Sequence, residues 1–167
     1  AFHARTLLEV FRPGSIPSVS VWHDIAQALV DIPTQIMADR QLSAFWVSAW
    51  QKSASSTIQE AVDVALDELH SDIEQIRSLV SDGDSRDYLR TLEILGCLSP
   101  KYRGSGLKTA LAASVLAKIF EGRPAEAMEV SANALDSDTD TIATMTGAML
   151  GAVSPKPPTW PIQDADY

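Results

Sequence analysis

Apolar residues recur at steps of three and four along much of the chain, the spacing of helices with one buried face. The clearest pattern predicts a helix over about 56–80, with Ser56 or Thr57 as N-cap and Gln59 or Glu60 at the distance of a capping box. Its apolar positions are Ile58, Ala61, Val62, Ala65, Leu66, Leu69, Ile73, Ile76, Leu79 and Val80. Strand-like alternation is absent from the sequence, so an all-α fold is predicted.

Glycine and proline indicate where the other helices begin and end. Helices are predicted near 2–11, 20–31, 41–53, 86–96, 107–121 and 124–135, with a last one after the acidic turn at 136–141. The helix near 86–96 is expected to bury Leu89, Leu92 and Leu95. Residues 1–153 should therefore form one domain of about seven to nine helices. The proline-rich tail, 154–167, is expected to pack on that domain, with Trp160 as its anchor.

Composition narrows the class of protein. A chain of 167 residues and 18.0 kDa can bury a sizeable core. With 46% hydrophobic and 21% charged residues and a mean hydropathy of 0.00, its composition is not that of a disordered chain. No apolar run approaches the roughly 18 residues that a membrane-spanning helix requires. The net charge of −9 argues against general nucleic-acid binding, so we expect neither a nucleic-acid nor a membrane partner. A single cysteine, Cys97, excludes an intrachain disulfide and is interpreted as a core residue. Without a visible signal segment, a cytoplasmic location is the expectation.

Three carboxylates, Asp136, Asp138 and Asp140, stand within five residues immediately before an apolar helix. Negative charges placed so close together repel each other and need compensation, either from the positive end of the helix dipole or from a cation. An EF-hand loop is excluded, because Thr141 replaces its glycine and Gly147 its glutamate. An N-cap would need only one of the residues. Two interpretations stay open on these residues: a capped acidic turn, or a site for a hard cation such as Mg²⁺.

The helix after this turn has a small residue at every fourth position: Ala143, Gly147 and Gly151. Such a face lets another backbone approach closely, and we therefore predict tight packing against it. Glycine in a helix interior costs about 1 kcal/mol, which favours a packing or site constraint.

Several other groups are interpreted as structural. The three histidines, His3, His23 and His70, lie on predicted helices with no partner at the spacing of metal ligands. Aromatic residues would suit an adenine site, but core packing is favoured for Trp22, Phe45, Trp46 and Trp50. A small basic group would suit a diphosphate, although a solvated loop is the simpler interpretation of Lys101, Arg103 and Lys108.

The run Asp138-Thr139-Asp140-Thr141, with the small-residue helix through Ala152, resembles the C-terminal signature of the ADP-ribosylglycohydrolase family. The resemblance covers about 104–153 and is weaker over 55–80. It implies an all-α fold of orthogonal helices and a centre of two Mg²⁺ ions that hydrolyses an ADP-ribose glycosidic bond. The implied substrate is an ADP-ribosylated protein or a small molecule that carries ADP-ribose.

The resemblance also assigns roles by position. Asp138, Asp140 and Thr141 match the family's C-terminal metal ligands. The loop of Gly104, Ser105 and Gly106 would offer backbone N–H groups to phosphate or ribose, although such a loop is more often only the start of a helix.

Two departures from the family pattern stand in the sequence. Asp136 and Ser137 replace the two glycines that usually precede the motif, and no Asp-Asp dipeptide matches the family's N-terminal metal cluster. We therefore expect this chain to be the C-terminal half of a longer enzyme, inactive alone, with its catalytic acidic residue and remaining ligands in the missing N-terminal half, in cis or on a separate chain. The alternatives are a catalytically inactive ADP-ribose-binding or structural member of the family, and an acidic helical interaction module.

Overall fold

A computed structural model describes residues 1–81, 83–154 and 156–157. Every regular element in these ranges is helical, which confirms the predicted all-α class. The helices are α1 (Phe2–Phe11), α2 (Val19–Gln27), α3 (Ile32–Ala38), α4 (Val47–Ala54), α5 (Ile58–Val80), α6 (Ser85–Ile94), α7 (Gly106–Ile119), α8 (Pro124–Asn133) and α9 (Thr139–Val153). A π-helical segment, Leu42–Trp46, leads directly into α4. No helix within the described ranges has the length and apolarity needed to cross a bilayer.

Helix α7 forms the centre of the fold. Its side chains are buried on every face from Lys108 to Ala117, as expected of a helix that is apolar nearly all round. The helices α1, α5, α6, α8 and α9 all pack against it, most extensively α9. The core therefore surrounds one short helix, and the positions of its neighbours depend on it.

Helix α5 begins as the sequence predicts. The Glu60 carboxylate accepts the backbone N–H of Thr57 at 2.7 Å, and the Thr57 hydroxyl accepts the backbone N–H of Glu60 at 3.2 Å. This capping box satisfies N–H groups that have no partner inside the helix. The hydrogen bonds from Thr57 also hold the pKa of Glu60 below its ordinary value.

The predicted helix over 20–31 is wrong at its C-terminal end. Helix α2 ends at Gln27, and a separate short helix, α3, begins at Ile32 with Pro33 in its first turn. Proline lacks the N–H that an inner turn needs but fits the first turn, where that N–H would have no helical acceptor. Pro33 therefore belongs to a helix start, whereas the sequence pattern treated it as a separator.

Two predictions of burial are also wrong. Leu89 is 42% exposed, and its neighbour Tyr88 is fully buried on the inner face of α6. Trp22 is a core residue as expected, but Phe45 is 78% exposed and Trp46 is 43% exposed. The π-helical segment packs on α3 and α4, which themselves lie at the edge of the fold. Its aromatic side chains therefore remain partly in solvent.

Cys97 is confirmed as a core residue, with 1% of its surface exposed. Burial raises the pKa of its thiol to about 11, and nearby Asp72 and Asp138 act in the same direction. The predicted packing of the tail through Trp160 lies outside the described residues.

A buried ion pair fastens the N-terminal turn of α7 to α5. The Lys108 ammonium lies 2.6 Å from the Asp72 carboxylate and 3.0 Å from that of Glu68, and it also lies over the Tyr102 ring. Burial would lower the pKa of Lys108, but its two carboxylate partners raise it above the ordinary value. Burial raises the pKa of Asp72, and the like charge of Glu68 acts in the same direction, while the Lys108 ammonium offsets only part of this rise. The lysine therefore stays charged and fixes the approach of α7 to α5.

Replacing Lys108→Met should lower the free energy of unfolding by about 3 kcal/mol, because it leaves Asp72 buried without its cation. Chemical denaturation measures the change. Lys118→Met on the same helix is the matched control, since Lys118 forms a half-exposed pair with Glu121; its loss should cost less than about 1 kcal/mol. Equal costs for the two variants would contradict the role given to Lys108.

Candidate functional site

Helices α7 and α9 run parallel, in register at a spacing of 33 residues. The Arg103 guanidinium contacts the Asp136 carboxylate at 3.3 Å, ahead of both helices, and the Thr146 hydroxyl donates to the Ala113 carbonyl at 3.2 Å, in their middle. Both pairs are 33 residues apart along the chain. The N-terminal ends of the two helices therefore lie at the same end of the pair. The predicted loop at 104–106 and the predicted acidic turn at 136–141 are neighbours there.

Apart from the contact between Arg103 and Asp136, the acidic turn is held by hydrogen bonds that do not use its carboxylates. The Ser137 hydroxyl donates to the Ala134 carbonyl at 2.7 Å, and the Ser131 hydroxyl donates to the Thr139 carbonyl at 3.3 Å. Asp136 adopts a left-handed backbone with φ of +69°. Glycine takes this conformation without the steric cost that a Cβ brings. The geometry explains why glycine would suit this position.

Asp138 is the N-cap residue of α9, but its side chain makes no capping hydrogen bond. Within the described part of the chain, the carboxylates of Asp138 and Asp140 accept no hydrogen bond and join no ion pair. Both lie at the N-terminal end of α9, which is the positive end of the helix dipole. Their oxygens are therefore available to a cation or another donor.

Asp140 and Thr141 line an open groove of about 380 Å³ together with His3, Thr144 and Met145. Asp138 does not line this groove. The structure thus brings two of the three predicted ligands into one concave surface and leaves the third outside its lining.

His3 is a member of this groove that the sequence did not indicate. Its Nδ1 is buried and finds no hydrogen-bond partner among the described residues. Burial lowers the pKa of its imidazole, so the neutral form is favoured near pH 7. Only the packing of α1 against α9 brings His3 to the groove, and a residue 137 positions away from Asp140 carries no signal of this in a single sequence.

The predicted substrate loop is the start of α7. Ser105 is the N-cap residue, without a side-chain capping bond, and Gly106 is the first helical residue. The backbone N–H groups of Gly106 and Leu107 have no acceptor in the described ranges. A Cβ at Gly104 or Gly106 would meet open space. These N–H groups suit an anion by the general property of helix N-termini.

The described residues do not complete a metal centre by themselves. Nowhere in ranges 1–81, 83–154 and 156–157 do three or more His, Cys, Asp or Glu side chains come together as metal ligands. Asp138, Asp140 and Thr141 fit Mg²⁺ in kind, because carboxylate and hydroxyl oxygens are the ligands that this ion prefers. They do not fit it in number, since Mg²⁺ takes about six oxygen ligands and a pair of ions takes more.

The prediction of a close backbone approach to the small-residue face of α9 is wrong. A Cβ at Gly147 would lie 3.7 Å from the Met128 sulfur, an ordinary contact, and one at Gly151 would meet nothing within 4 Å. The helix instead buries the neighbouring face that carries Ile142, Thr146, Met149 and Leu150. Thr146 makes the close contact with α7 through its hydroxyl, so the glycines are not needed for it.

Parallel α7 and α9, with an acidic turn at their common end, define an all-α protein with a candidate cation site. Residues 21–156 match the model of the ADP-ribosylglycohydrolase family. The chain therefore belongs to that family, whose members hydrolyse ADP-ribose linkages. The match begins well before the regions in which the motif resemblance is visible. No curated protein and no solved structure matches the chain significantly.

Gly147→Ala should raise the free energy of unfolding by about 0.5–1 kcal/mol, because alanine is the better helix former and its Cβ has room. Gly122→Ala is the opposite case: Gly122 has φ of +81°, and the substitution should destabilise the protein. Thermal or chemical denaturation of both variants measures these changes in stability. A destabilising Gly147→Ala would restore the close-packing interpretation.

The left-handed conformation of Asp136 leads to a second prediction. Asp136→Ala and Asp136→Gly both remove the contact with Arg103, but only glycine relieves the backbone. We expect the glycine variant to be more stable than the alanine variant by about 1 kcal/mol. Equal stability of the two in urea denaturation would show that the positive φ carries no cost here.

Proposed function

We propose that this chain acts in the Mg²⁺-dependent hydrolysis of an ADP-ribose glycosidic bond, with Asp138, Asp140 and Thr141 forming one face of a two-ion site. Family membership supports the reaction class. The observation that carries the metal assignment is the pair of carboxylates at the start of α9 that no described side chain or N–H group engages. The substrate is an ADP-ribosylated protein or a small molecule with the same linkage.

The turn supplies hard oxygen ligands and holds them in place. Asp140 lies in the first turn of α9, and the Thr144 hydroxyl donates to its backbone carbonyl at 2.8 Å. The backbone that carries this carboxylate is therefore part of a regular helix. Bound Mg²⁺ supplies positive charge that orients ribose hydroxyls and makes water a better nucleophile. The remaining ligands come from water, substrate or residues other than the described ones.

The start of α7 binds the anionic part of the substrate in this proposal. The open N–H groups of Gly106 and Leu107 lie at the end of the α7–α9 pair that also carries the acidic turn. A diphosphate bound there gains from the dipole of α7 and from hydrogen bonds to the backbone. Arg103 stands next to this loop and is 44% exposed at its side chain, paired with Asp136.

The general acid or base is not assigned to any described residue. A carboxylate or imidazole in that role must lie within hydrogen-bond reach of the proton it moves. Asp138 and Asp140 serve as ligands in the proposal, and the missing role is expected from outside the described residues. On this basis the chain alone has little or no hydrolytic activity.

A second candidate is a member of the family that binds ADP-ribose without hydrolysing it. The observation in its favour is the ion pair between Arg103 and Asp136, at a position where the family usually has glycine. This pair gives the approach to the turn a different charge. This candidate would be favoured if the protein, together with the N-terminal half that carries the remaining metal ligands, bound ADP-ribose but did not hydrolyse its linkage.

The test is isothermal titration of the protein with Mg²⁺, with and without ADP-ribose. In the double variant Asp138→Ala/Asp140→Ala we expect Mg²⁺ affinity to fall at least about tenfold. The fold should survive, because neither carboxylate makes a capping bond or an ion pair among the described residues.

The matched control is Asp63→Ala/Asp67→Ala, which removes the same charge from exposed positions of α5. It should leave Mg²⁺ affinity unchanged to within about twofold, since the two aspartates lie on a solvated helix face. Equal Mg²⁺ affinity in the site variant and the wild type would remove the metal assignment. An equal loss of Mg²⁺ affinity in both variants would show that the effect comes from net charge alone.

A further inference from the structure

Two histidines and a glutamate form a hydrogen-bonded chain between α2 and α5. His23 Nε2 lies 2.7 Å from the Glu74 carboxylate, and His23 Nδ1 lies 2.9 Å from His70 Nδ1. His23 belongs to α2, whereas His70 and Glu74 stand one turn apart on α5. The sequence did not indicate that these histidines are partners, because the contact joins residues 47 positions apart.

The two imidazole rings lie edge to edge in one plane. Their planes differ by 7° and their centroids are 5.2 Å apart. With the two Nδ1 atoms 2.9 Å apart, this centroid distance is reached only when each Nδ1 points straight at the other. One hydrogen therefore lies between the two nitrogens, donated by one ring and accepted by the other.

The hydrogen-bond partners fix which nitrogen carries each proton. The Glu74 carboxylate accepts, so His23 Nε2 donates to it, and in the neutral ring Nδ1 of His23 is the acceptor. His70 Nδ1 then donates to His23, and its own Nε2 is free to take up one more proton without breaking the chain. A second added proton would place N–H groups on both facing Nδ1 atoms, and the hydrogen bond between the rings would be lost.

Other charged groups lie on the same helices and on the helices packed against them. Arg77 contacts Glu74 at 3.5 Å, and Asp24 follows His23 along α2. Helix α3 carries no charged residue. On the other packed helices, several charged groups pair elsewhere in the described part of the chain: Glu9 of α1 with Arg12, Arg86 of α6 with Asp84, and Lys108 and Lys118 of α7 with Asp72 and Glu121. Arg5 of α1 and Asp87, Arg90 and Glu93 of α6 join no ion pair in that part of the chain.

We propose that Glu74, His23 and His70 form a pH-sensitive latch that holds α2 against α5 with at most one added proton and releases it when both imidazoles are protonated. The open state binds one proton more than the closed state. Stability of the closed state therefore falls as the pH falls. Release would loosen the helix that places Trp22, Ile25 and Ala26 in the core.

Hydrogen exchange of the α2 amides, corrected for intrinsic rates, tests the latch. Between pH 7.5 and 5, protection of residues 19–27 should fall by up to about tenfold per pH unit, while protection of 106–119 changes less. In His70→Asn, the introduced amide offers either N–H or C=O to His23 without titrating. That variant should keep α2 protected at pH 5.

The control is His3→Asn, which removes a histidine of α1 and should retain the wild-type loss of protection. If wild-type α2 shows no greater loss than α7, or if His70→Asn behaves as the wild type does, the latch is refuted. The ¹⁵N shifts of the imidazoles give an independent test in the wild-type protein. At pH 7.5 they should show one protonated and one unprotonated Nδ1 in the pair, and two protonated Nδ1 atoms would overturn the assignment.

Discussion

The enclosure of α7 is the constraint on which the rest of the structure depends. A helix with no solvent face can be placed only if every surrounding helix presents an apolar surface to it and every polar group on it finds a partner. Lys108 is the demanding case. Its ammonium is buried at the first turn, and the carboxylates of Asp72 and Glu68 on α5 compensate it. The position of α5 relative to α7 is thus fixed by charge as well as by packing.

The parallel pairing of α7 and α9 follows from this enclosure and creates the candidate site. Parallel neighbours need a connection that returns along their length, and α8 provides it between Pro124 and Asn133. Because α7 and α9 then begin at the same end, their unpaired N–H groups and positive dipole ends add there. A surface that attracts anions through α7 and exposes carboxylates on α9 suits a ligand that carries both phosphates and a cation.

The sequence predicts the helices with wide apolar faces well, because burial imposes the period of 3.6 on them. The capping box at Thr57 and Glu60 is also readable, since its geometry is local. The short helix α3 could not be predicted from apolar periodicity, because seven residues hold too few apolar positions to show a period. Contacts such as His23 with His70 depend on tertiary packing and leave no trace in one sequence.

The small-residue face of α9 shows a different failure. The interval of four residues is correct for a helix face, but the face next to it, with Ile142 and Met149, is the buried one. Volume settles the choice: larger apolar side chains gain more from leaving water than glycine does. Only the packed structure reveals that Gly147 and Gly151 lie beside the contact and not within it.

The acidic turn requires no metal to be stable in the folded chain. Asp136 is compensated by Arg103, and Asp138 and Asp140 lie at the positive end of α9. The hydroxyls of Ser131 and Ser137 hold the backbone through carbonyl groups, so the carboxylates of Asp138 and Asp140 are not needed to hold the turn. A site whose ligands are positioned by other residues loses little order when it is empty and pays little to bind. In the proposed site, metal binding and folding are therefore separable, and the two aspartates can be removed to test the first without destroying the second.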